Sequence, residues 1–182
     1  MACCLQSDMS LIIRAIEPHE LPLYSGLLLD VVLWLQNQGT PLWSPEQITP
    51  EALLKLYRLD EFYLAFLKNQ PVAGMVLQEK DFLWDGVADG EALYLHKLAV
   101  SRTRAGQRLG RDMIDFARQE AARRKKPLLR LDTSAKHPKL CKYYEDYGFE
   151  FVGYRHLEDY GFHVNFYQMP IDEAPESVAE SR

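Results

Sequence analysis

The stretch from Leu93 to Arg111 constrains the fold of this chain more than any other. An apolar run, Leu93–Val100, is followed by a polar and cationic turn, and a helical pattern then opens at residues 106–110. The first N–H groups of a helix have no partner within the helix, and they point outward with the positive end of the helix dipole. A strand, a tight turn and a helix N-terminus in this order therefore predict a binding site for an anion.

The length and composition indicate one globular domain. The chain has 182 residues, 47% of them hydrophobic, which is enough to bury a core. We expect a single domain over residues 1–171 and a polar, disordered tail over residues 172–182. The formal net charge of -5 argues against general nucleic-acid binding, which requires a broad basic surface. Because apolar runs are too short for a membrane span and a secretory signal pattern is absent, we expect a cytoplasmic protein without a nucleic-acid or membrane partner.

The three cysteines do not have the spacing of a zinc site or a disulfide framework. Cys3 and Cys4 are adjacent, and Cys141 lies far from both. Nothing near Cys141 in the sequence would activate its thiol, so packing explains this residue better than nucleophilic catalysis. We therefore expect reduced thiols and no bound metal.

Hydrophobic periodicity predicts strands interspersed with helices. Strands are predicted at Leu11–Ile16, Glu61–Leu67, Val72–Gln78, Leu93–Val100, Leu128–Leu131, Phe149–Tyr154 and His163–Met169. Helices are predicted at Glu17–Gln38, Glu51–Tyr57, Gln107–Lys125 and Pro138–Tyr147. A helical crossover joins the fourth and fifth strands, whereas hairpin spacing joins others. This order predicts an α/β (α+β) fold with a mixed, mostly antiparallel central sheet of about seven strands and helices on both faces.

The glycine-containing turn after the fourth strand is a weak signal by itself. It lacks the Gly-Lys-Ser/Thr of a Walker A loop and the Gly-x-Gly-x-x-Gly spacing of the dinucleotide-binding fingerprint. A second stretch, Tyr143–Phe149, lies one strand further along the chain, at the end of the short helix Pro138–Tyr147. The two stretches are more informative together than either is alone.

Both stretches resemble motifs of the GNAT superfamily of N-acyltransferases, and the order of elements matches over Ser10–Pro170. The family's pyrophosphate motif, Val-x-x-x-x-Arg/Gln-Gly-x-Gly-x-Gly/Ala, resembles Val100 and Ala105–Gly110 here. The second motif, Asn-x-x-Ala-x-x-Leu-Tyr-Glu-x-x-Gly-Phe, resembles His137 and Tyr143–Phe149. The resemblance implies the acyl-CoA N-acyltransferase fold, with acetyl-CoA or another acyl-CoA as co-substrate.

This chain departs from the family's motifs at three positions. Ala105 stands where the family has Arg or Gln, Arg108 where it has Gly, and His137 where it has Asn. Backbone donors do not depend on the side chain, so the amides of residues 107–111 are still expected to hold the pyrophosphate. The pantetheine arm is expected to pair with the backbone of the fourth strand. The implied cofactor-binding residues are Leu98, Ala99, Val100, Ala105, Gly106, Gln107, Arg108, Leu109, Gly110, Arg111, His137, Lys139 and Tyr144.

The chemistry requires a base, because an amine with a pKa of about 10 arrives as an ammonium ion and must lose a proton before it attacks. The strand around His96 resembles the strand of the arylalkylamine N-acetyltransferases in which a histidine at this position is the base. A structural hydrogen bond explains His96 equally well, and Glu91 or a chain of water molecules is the alternative base. Strand alternation places Tyr94, His96 and Leu98 on one face.

The chemistry also requires an acid, because the departing thiolate must be protonated. Tyr144, four residues before Gly148, matches the family's general-acid tyrosine. A phenol with a pKa of about 10 can protonate a thiolate whose conjugate acid has a pKa of about 8.5. Aromatic packing explains Tyr143 and Tyr147 better than catalysis does.

These features predict an N-acetyltransferase that moves an acyl group to a primary amine by direct attack in a ternary complex. The amine, a small molecule or a peptide, is not identified, although the acidic balance suits a cationic acceptor. The alternatives are a non-catalytic acyl-CoA sensor on the same fold and an unrelated nucleotide-binding protein, and a homodimer is left open. Side chains that could line an acceptor pocket belong to Tyr24, Asp30, Trp43, Glu46, Tyr160 and His163.

Overall fold

The computed structural model describes residues 10–84, 90–158 and 161–172. The strands in these ranges are Ile12–Ala15 (β1), Phe62–Leu67 (β2), Gln70–Gln78 (β3), Ala92–Val100 (β4), Leu128–Ser134 (β5), Glu150–Leu157 (β6) and Phe162–Pro170 (β7). The α-helices are Leu21–Asn37 (α1), Pro50–Leu56 (α2), Leu109–Arg123 (α3) and Pro138–Tyr147 (α4). None of the helices within the described ranges is long and apolar enough to cross a membrane. The expected tail from residue 173, and the residues Cys3, Cys4 and Tyr160, lie outside the described ranges.

The seven strands form one sheet in the order β1-β2-β3-β4-β5-β7-β6. β1 is antiparallel to β2, and β7 is antiparallel to both β5 and β6. β4 and β5 are parallel, with a register that runs from Ala92 opposite Leu128 to Tyr94 opposite Arg130. The mixed, mostly antiparallel sheet predicted from the order of elements is therefore confirmed.

The described residues divide into two compact units, each with a core of its own. Unit 1 is drawn from Met1–Met75 and Lys97–Met113, and unit 2 from Val76–His96 and Ile114–Arg182. Fully buried side chains of unit 1 include Tyr24, Leu28, Phe62, Leu64 and Met75, and those of unit 2 include Leu77, Leu93, Ile114, Leu129 and Tyr167. Most of these side chains come from the apolar runs of the strands. Burying one of them stabilises the fold by about 1.5–3 kcal/mol.

Local sequence signals account for the start of α2 and for the β2–β3 turn. The Thr49 side chain accepts a hydrogen bond from the N–H of Ala52 at 3.2 Å, and Pro50 is the first helical residue, one residue before the predicted start. Lys68 and Asn69 have φ angles of 49° and 62°. Positive φ at both central residues is the geometry of a type I′ hairpin turn, which suits the right-handed twist of the flanking strands.

The bounds of α3 differ from the prediction. The helix was expected over Gln107–Lys125, and it is two residues shorter at each end. Arg108 and Lys125 both have left-handed backbones, with φ angles of 65° and 54°. A left-handed residue cannot continue a right-handed helix, so these two residues set the limits of α3.

Candidate active site

In unit 1, β4 departs from regular strand geometry at Lys97, whose φ is 51°. The Lys97 carbonyl accepts a hydrogen bond of 2.6 Å from the hydroxyl of Tyr24 on α1. Burial raises the pKa of Tyr24 well above its ordinary value, so the phenol keeps the proton that it donates. Regular alternation stops at this residue, so alternation alone no longer determines whether Leu98 shares a face with His96, and that placement stays a prediction.

The Tyr24 ring also explains a glycine in the neighbouring strand. A Cβ atom at Gly74 would lie 2.4 Å from Tyr24 Cδ2, closer than any side chain could be accommodated. Gly74 therefore marks a close approach of the ring to the backbone of β3. The small residue in β3 therefore lets the phenol reach the β4 backbone.

The turn after β4, residues 101–111, is termed the anion turn here. Its Ser101 N–H donates to the carbonyl of Val72 in β3 at 2.8 Å, which fixes the entry to the turn. Gly106 and Arg108 have φ angles of 80° and 65°. These left-handed residues reverse the backbone just before α3 begins at Leu109.

Several amides of the anion turn are available to a ligand. Gln107 N–H donates to the Arg104 carbonyl at 3.3 Å, and Arg111 N–H donates to the Arg108 carbonyl at 2.8 Å. Within the described ranges, the remaining N–H groups of residues 106–110 donate to no backbone carbonyl; they belong to Gly106, Arg108, Leu109 and Gly110. Unpaired amides beside a helix N-terminus attract anions through both their hydrogens and the helix dipole.

The side chains of the anion turn are mainly exposed. Ala105, Gly106, Gln107 and Arg108 all face solvent. The Arg102 guanidinium instead lies 3.8 Å from the centre of the Trp34 ring on α1, in a cation–π contact. The turn therefore offers an anion a backbone surface with exposed cationic side chains around it.

In unit 2, His96 lies between two carboxylates. Asp81, His96 and Asp132 each contribute one nitrogen or oxygen atom to a group whose atoms all lie within 4.8 Å of one another. We call these three residues the carboxylate–histidine cluster. His96 Nε2 lies 3.6 Å from Asp81 Oδ2, and the Asp81 side chain is only 3% exposed. Carboxylates beside an imidazole can stabilise the imidazolium ion that forms when the ring accepts a proton.

Strand register explains how Asp132 reaches His96. Tyr94 of β4 lies opposite Arg130 of β5 in a parallel pairing. His96 and Asp132 each lie two residues beyond this pair, and their ligand atoms lie within 4.8 Å of one another. Asp81 arrives from the loop after β3, where its Oδ1 accepts a hydrogen bond of 2.8 Å from the N–H of Leu83.

The sequence identified only one member of this cluster. Asp132 could have been noticed, because it is a carboxylate in an otherwise buried strand. The predicted range of the fifth strand, Leu128–Leu131, did not reach it, whereas β5 continues to Ser134. No sequence signal pointed to Asp81, since an aspartate at the start of a polar loop is usually solvated. Burial raises the pKa of Asp81, and the hydrogen bond from Leu83 opposes that shift.

Glu91, the alternative base, lies beside a cation. Its Oε2 is 3.4 Å from Nη1 of Arg130, and its side chain is 43% exposed. The Arg130 guanidinium also lies 4.7 Å from the centre of the Trp84 ring and bonds the amide oxygen of Gln168. Tyr94 is buried, with its ring centre 6.0 Å from that of Trp84.

Tyr144, the predicted acid, is buried in an aromatic cluster at 8% exposure. Its ring contacts those of Tyr143, Phe149 and Tyr167 at centre distances of 5.5, 5.8 and 6.4 Å. Burial is the main reason that its pKa is raised, and the nearby charges, including that of Asp132, add to the effect. The phenol is therefore fully protonated near neutral pH.

The other residues of α4 have mainly structural contacts. His137 is the N-cap residue, and its carbonyl accepts hydrogen bonds from Leu140 N–H at 2.9 Å and Cys141 N–H at 3.0 Å, while its side chain makes no capping bond. The buried Cys141 thiol lies 3.7 Å from the Ser134 carbonyl, in agreement with a packing role. Lys139 is exposed.

The residues proposed to line an acceptor pocket have different local surroundings within their own units. The Tyr24 hydroxyl donates its hydrogen bond to the Lys97 carbonyl. The ammonium of Lys97 lies 4.5 Å from the centre of the Trp43 ring. Asp30 and Glu46 are exposed. His163 stacks on His156 at 4.3 Å and bonds the hydroxyl of Tyr154 at 2.6 Å, and these residues belong to unit 2.

Comparison with known proteins agrees with these features. Residues 28–149 match the family model described as the acetyltransferase (GNAT) family. The uncharacterized N-acetyltransferase YesJ of Bacillus subtilis (strain 168) is 30% identical over 154 residues, which cover 77% of this chain and 80% of that protein.

Two solved structures illustrate the range of similar folds. A GNAT-family acetyltransferase from Listeria monocytogenes 4b F2365 has a TM-score of 0.70 and 25% identity, covering 88% of this chain and 94% of that one. N-acetylglutamate synthase from Neisseria gonorrhoeae, complexed with coenzyme A and N-acetyl-glutamate, has a TM-score of 0.63 and 15% identity, covering 90% of this chain and 35% of that one. The chain therefore belongs to the acetyltransferase (GNAT) family, has the acyl-CoA N-acyltransferase fold and is an acetyltransferase.

Proposed function

We propose that this acetyltransferase transfers an acetyl group from acetyl-CoA to a primary amine of a small molecule or peptide, by direct attack in a ternary complex. The carboxylate–histidine cluster carries the proposal, because it supplies a proton acceptor for the ammonium form of the acceptor. Its Asp81 side chain is almost fully buried, and His96 Nε2 lies 3.6 Å from that carboxylate. The coenzyme A in the structure of N-acetylglutamate synthase supports the choice of co-substrate.

His96 is the proposed general base. Its Nε2 takes the proton from the ammonium, and the carboxylates of Asp81 and Asp132 then stabilise the imidazolium. The freed amine nitrogen bonds the thioester carbonyl carbon, and the carbon–sulfur bond breaks. Glu91 is the less suitable base because its carboxylate is already paired with the Arg130 guanidinium, 3.4 Å away.

Tyr144 is the proposed general acid. Its hydroxyl donates a proton to the departing sulfur, and the raised pKa ensures that the proton is present when the bond breaks. Burial disfavours every anion, so a thiolate beside this phenol is also destabilised and takes up a proton more readily than in water. Amide formation removes two protons from the ammonium. One leaves through His96 to solvent, and the other, lost from the nitrogen as the carbon–sulfur bond breaks, replaces the proton that Tyr144 gives to the sulfur. Each turnover therefore releases one proton.

The anion turn is the proposed pyrophosphate site. The unpaired amides of Gly106, Arg108, Leu109 and Gly110 would donate to the phosphate oxygens. Each charge–dipole contact contributes only about 0.3–1 kcal/mol when exposed, so several are needed together. The strand backbone of Leu98, Ala99 and Val100 would pair with the pantetheine arm, and His137 and Lys139 would lie beside the cofactor.

Three broader proposals concern the domain, the cellular location and the acceptor. Residues 1–171 act as one domain, supported by the match of a single family model to residues 28–149. The enzyme works in the cytoplasm without a membrane partner, and its net charge of -5 supports the further proposal that it has no nucleic-acid partner. The acceptor is a cationic amine, in keeping with the same acidic balance.

The test is an assay of thiol release from acetyl-CoA over a panel of primary amines, comparing the wild-type enzyme with Tyr144→Phe. We expect Tyr144→Phe to lower kcat by about 10²-fold or more, the usual range for a general acid, with the Kd for acetyl-CoA unchanged. Tyr143→Phe is the matched control, because Tyr143 lies in the same aromatic cluster and has no proposed catalytic role. Wild-type binding of acetyl-CoA without turnover on any amine would instead indicate an acyl-CoA sensor.

A further inference from the structure

We propose that the carboxylate–histidine cluster is a site for a divalent transition-metal ion of the zinc class. The ion would be held by Asp81 Oδ2, His96 Nε2 and a carboxylate oxygen of Asp132. The sequence predicted no bound metal from the spacing of its cysteines, and none of the ligands proposed here is a cysteine. The inference concerns metal binding, and only its effect on activity rests on the proposed function.

The spacing of the ligand atoms fits a metal ion better than a direct hydrogen bond. His96 Nε2 and Asp81 Oδ2 are 3.6 Å apart, beyond the usual length of an N–H···O bond. Two ligands of a tetrahedral zinc ion, each at about 2.0–2.1 Å, lie about 3.3 Å from one another. All three ligand atoms lie within 4.8 Å of each other, so small side-chain rotations would complete the site.

The Asp81 side chain provides an independent reason to expect a ligand. Its Oδ2 is buried and has no hydrogen-bond partner in the part of the chain that the structure describes. Leaving a buried polar atom unsatisfied costs about 1–3 kcal/mol, and more when the group is charged. A bound cation would satisfy this oxygen, and it would offset the repulsion between two carboxylates placed so close together.

The loop that carries Asp81 is held in position before any ligand binds. Leu83 N–H donates to Asp81 Oδ1 at 2.8 Å, and Trp84 N–H donates to the Asp81 carbonyl at 3.2 Å. The Arg155 guanidinium of β6 donates to the Leu83 carbonyl at 2.8 Å. These bonds hold the described segment 81–84, so Oδ2 of Asp81 is already presented to the cluster.

The donor set selects the class of metal. One imidazole nitrogen and two carboxylate oxygens suit zinc, cobalt or manganese, whereas magnesium and calcium prefer oxygen ligands alone. Two carboxylates and a neutral imidazole carry a charge of -2, which a divalent ion neutralises. Three protein ligands also leave a coordination position open for water. A metal bound to His96 Nε2 would occupy the lone pair that accepts the proton, so zinc should inhibit the acetyltransferase.

The site is tested by titrating metal-free, full-length protein with Zn²⁺, using calorimetry and equilibrium dialysis, with Mg²⁺ as the contrasting ion. We expect one Zn²⁺ per chain that depends on the cluster, with the affinity lowered at least tenfold in Asp81→Asn and in Asp132→Asn. His163→Gln is the matched control, because the stacked pair His156–His163 is another place where imidazoles meet. This control should bind Zn²⁺ like the wild type, and Mg²⁺ should not compete.

Co²⁺ identifies the ligands independently of affinity. We expect the visible spectrum of tetrahedral cobalt without thiolate charge transfer, and we expect it to be lost in Asp132→Asn. Zn²⁺ should also raise the Tm of the wild type and of His163→Gln, but not that of the two aspartate variants, each compared with its own Tm in chelator. Metal affinity unchanged in both aspartate variants, or lost in His163→Gln, would overturn the proposal.

Activity measurements in the presence of Zn²⁺ separate this inference from the proposed function. Zn²⁺ should inhibit thiol release over the range in which it binds, and chelator should reverse the inhibition. If Zn²⁺ binds through the cluster and turnover is unaffected, His96 is not the base, and the metal site stands. If Zn²⁺ does not bind and Tyr144→Phe still lowers kcat, the metal site fails, and the acetyltransferase mechanism stands.

Discussion

The anion turn of unit 1 and the carboxylate–histidine cluster of unit 2 offer their functional groups from different parts of the polypeptide. In the anion turn the groups are backbone N–H donors, and left-handed residues at Gly106 and Arg108 set their direction. In the cluster the groups are side-chain atoms of Asp81, His96 and Asp132, which come from two strands and a loop.

This difference explains where the chain tolerates departures from the family's motifs. A backbone donor survives replacement of its side chain as long as the backbone keeps its shape. Ala105 and Arg108 can therefore differ from the family pattern while the amides stay available. A side-chain cluster has no such reserve, because replacing one member removes its function. Substitutions in unit 2 should consequently affect the reaction more than substitutions in the anion turn.

The strongest test of the comparison is His96→Gln in unit 2. Glutamine keeps a polar side chain but cannot accept a proton near neutral pH, so kcat/KM should fall by about 10²–10⁴-fold while the Kd for acetyl-CoA stays unchanged. The matched control is Glu91→Gln, which removes the carboxylate paired with Arg130 and should change kcat/KM by less than about threefold. A larger loss in Glu91→Gln than in His96→Gln would make Glu91 the base.

The cluster also shows what could be predicted from the sequence and what could not. Signals confined to neighbouring residues gave correct predictions, as for the helix Pro138–Tyr147, which matches α4 at both ends. The membership of Asp132 depends on the parallel register of β4 with β5, which the pattern of each strand alone does not determine. Asp81 depends on the fold of a loop. The sequence could therefore identify the base candidate but not the carboxylates around it.

The strand–turn–helix structure of the anion turn was predictable in kind but not in detail, and its binding of an anion stays a proposal. Its place between strand and helix followed from periodicity, and the family resemblance supplied the choice of anion. The start of α3 was misplaced because the left-handed backbone of Arg108 is unusual for a residue with a side chain, and the sequence gives no sign of it there. The same holds for the left-handed Lys97, which ended the predicted alternation of β4.

Gly110→Glu tests whether the anion turn works through its backbone. A carboxylate beside the unpaired amides would repel the phosphates and compete for the helix N-terminus, so the Kd for acetyl-CoA should rise by about 10–100-fold, or roughly 1.4–2.8 kcal/mol. Gly110→Ala is the control; it keeps the N–H group and should bind acetyl-CoA within about threefold of the wild type. Isothermal titration calorimetry measures both. Equal affinity for Gly110→Glu and the wild type would remove the phosphate from this turn.

Tyr24→Phe asks whether unit 1 also contains a side chain on which the β4 backbone depends. Losing the bond to the Lys97 carbonyl should lower the free energy of unfolding by about 1–2 kcal/mol, measured by urea denaturation. Because that bond holds the left-handed residue of β4, the KM for acetyl-CoA should rise severalfold as well.

Ser25→Ala is the control for Tyr24→Phe. It removes the neighbouring α1 hydroxyl, which donates to the Ile48 carbonyl at 2.7 Å. We expect a similar loss of stability from this change with an unaltered KM, since its partner is not in β4. If both variants leave KM unchanged, Tyr24 is structural only, and the contrast between the two units becomes stronger.

Arg108→Gly should have the smallest effect of these changes, and the direction in which it shifts Tm is informative. A left-handed residue with a side chain costs about 1–2 kcal/mol, and glycine removes that cost while losing roughly 0.5–1 kcal/mol through its freer unfolded chain. The net gain of about 0.5–1 kcal/mol should raise Tm by a few degrees. Removing the cation should weaken acetyl-CoA binding only about two- to fivefold.

Arg108→Ala separates the two contributions, because it removes the cation but keeps a side chain on the left-handed backbone. We expect the same small loss of affinity as in Arg108→Gly, without the gain in Tm. A fall in Tm for Arg108→Gly would mean that the arginine side chain stabilises the turn. A loss of affinity above about tenfold in both variants would mean that the side chain, rather than the backbone, holds the anion, and the distinction between the two units would fail at this residue.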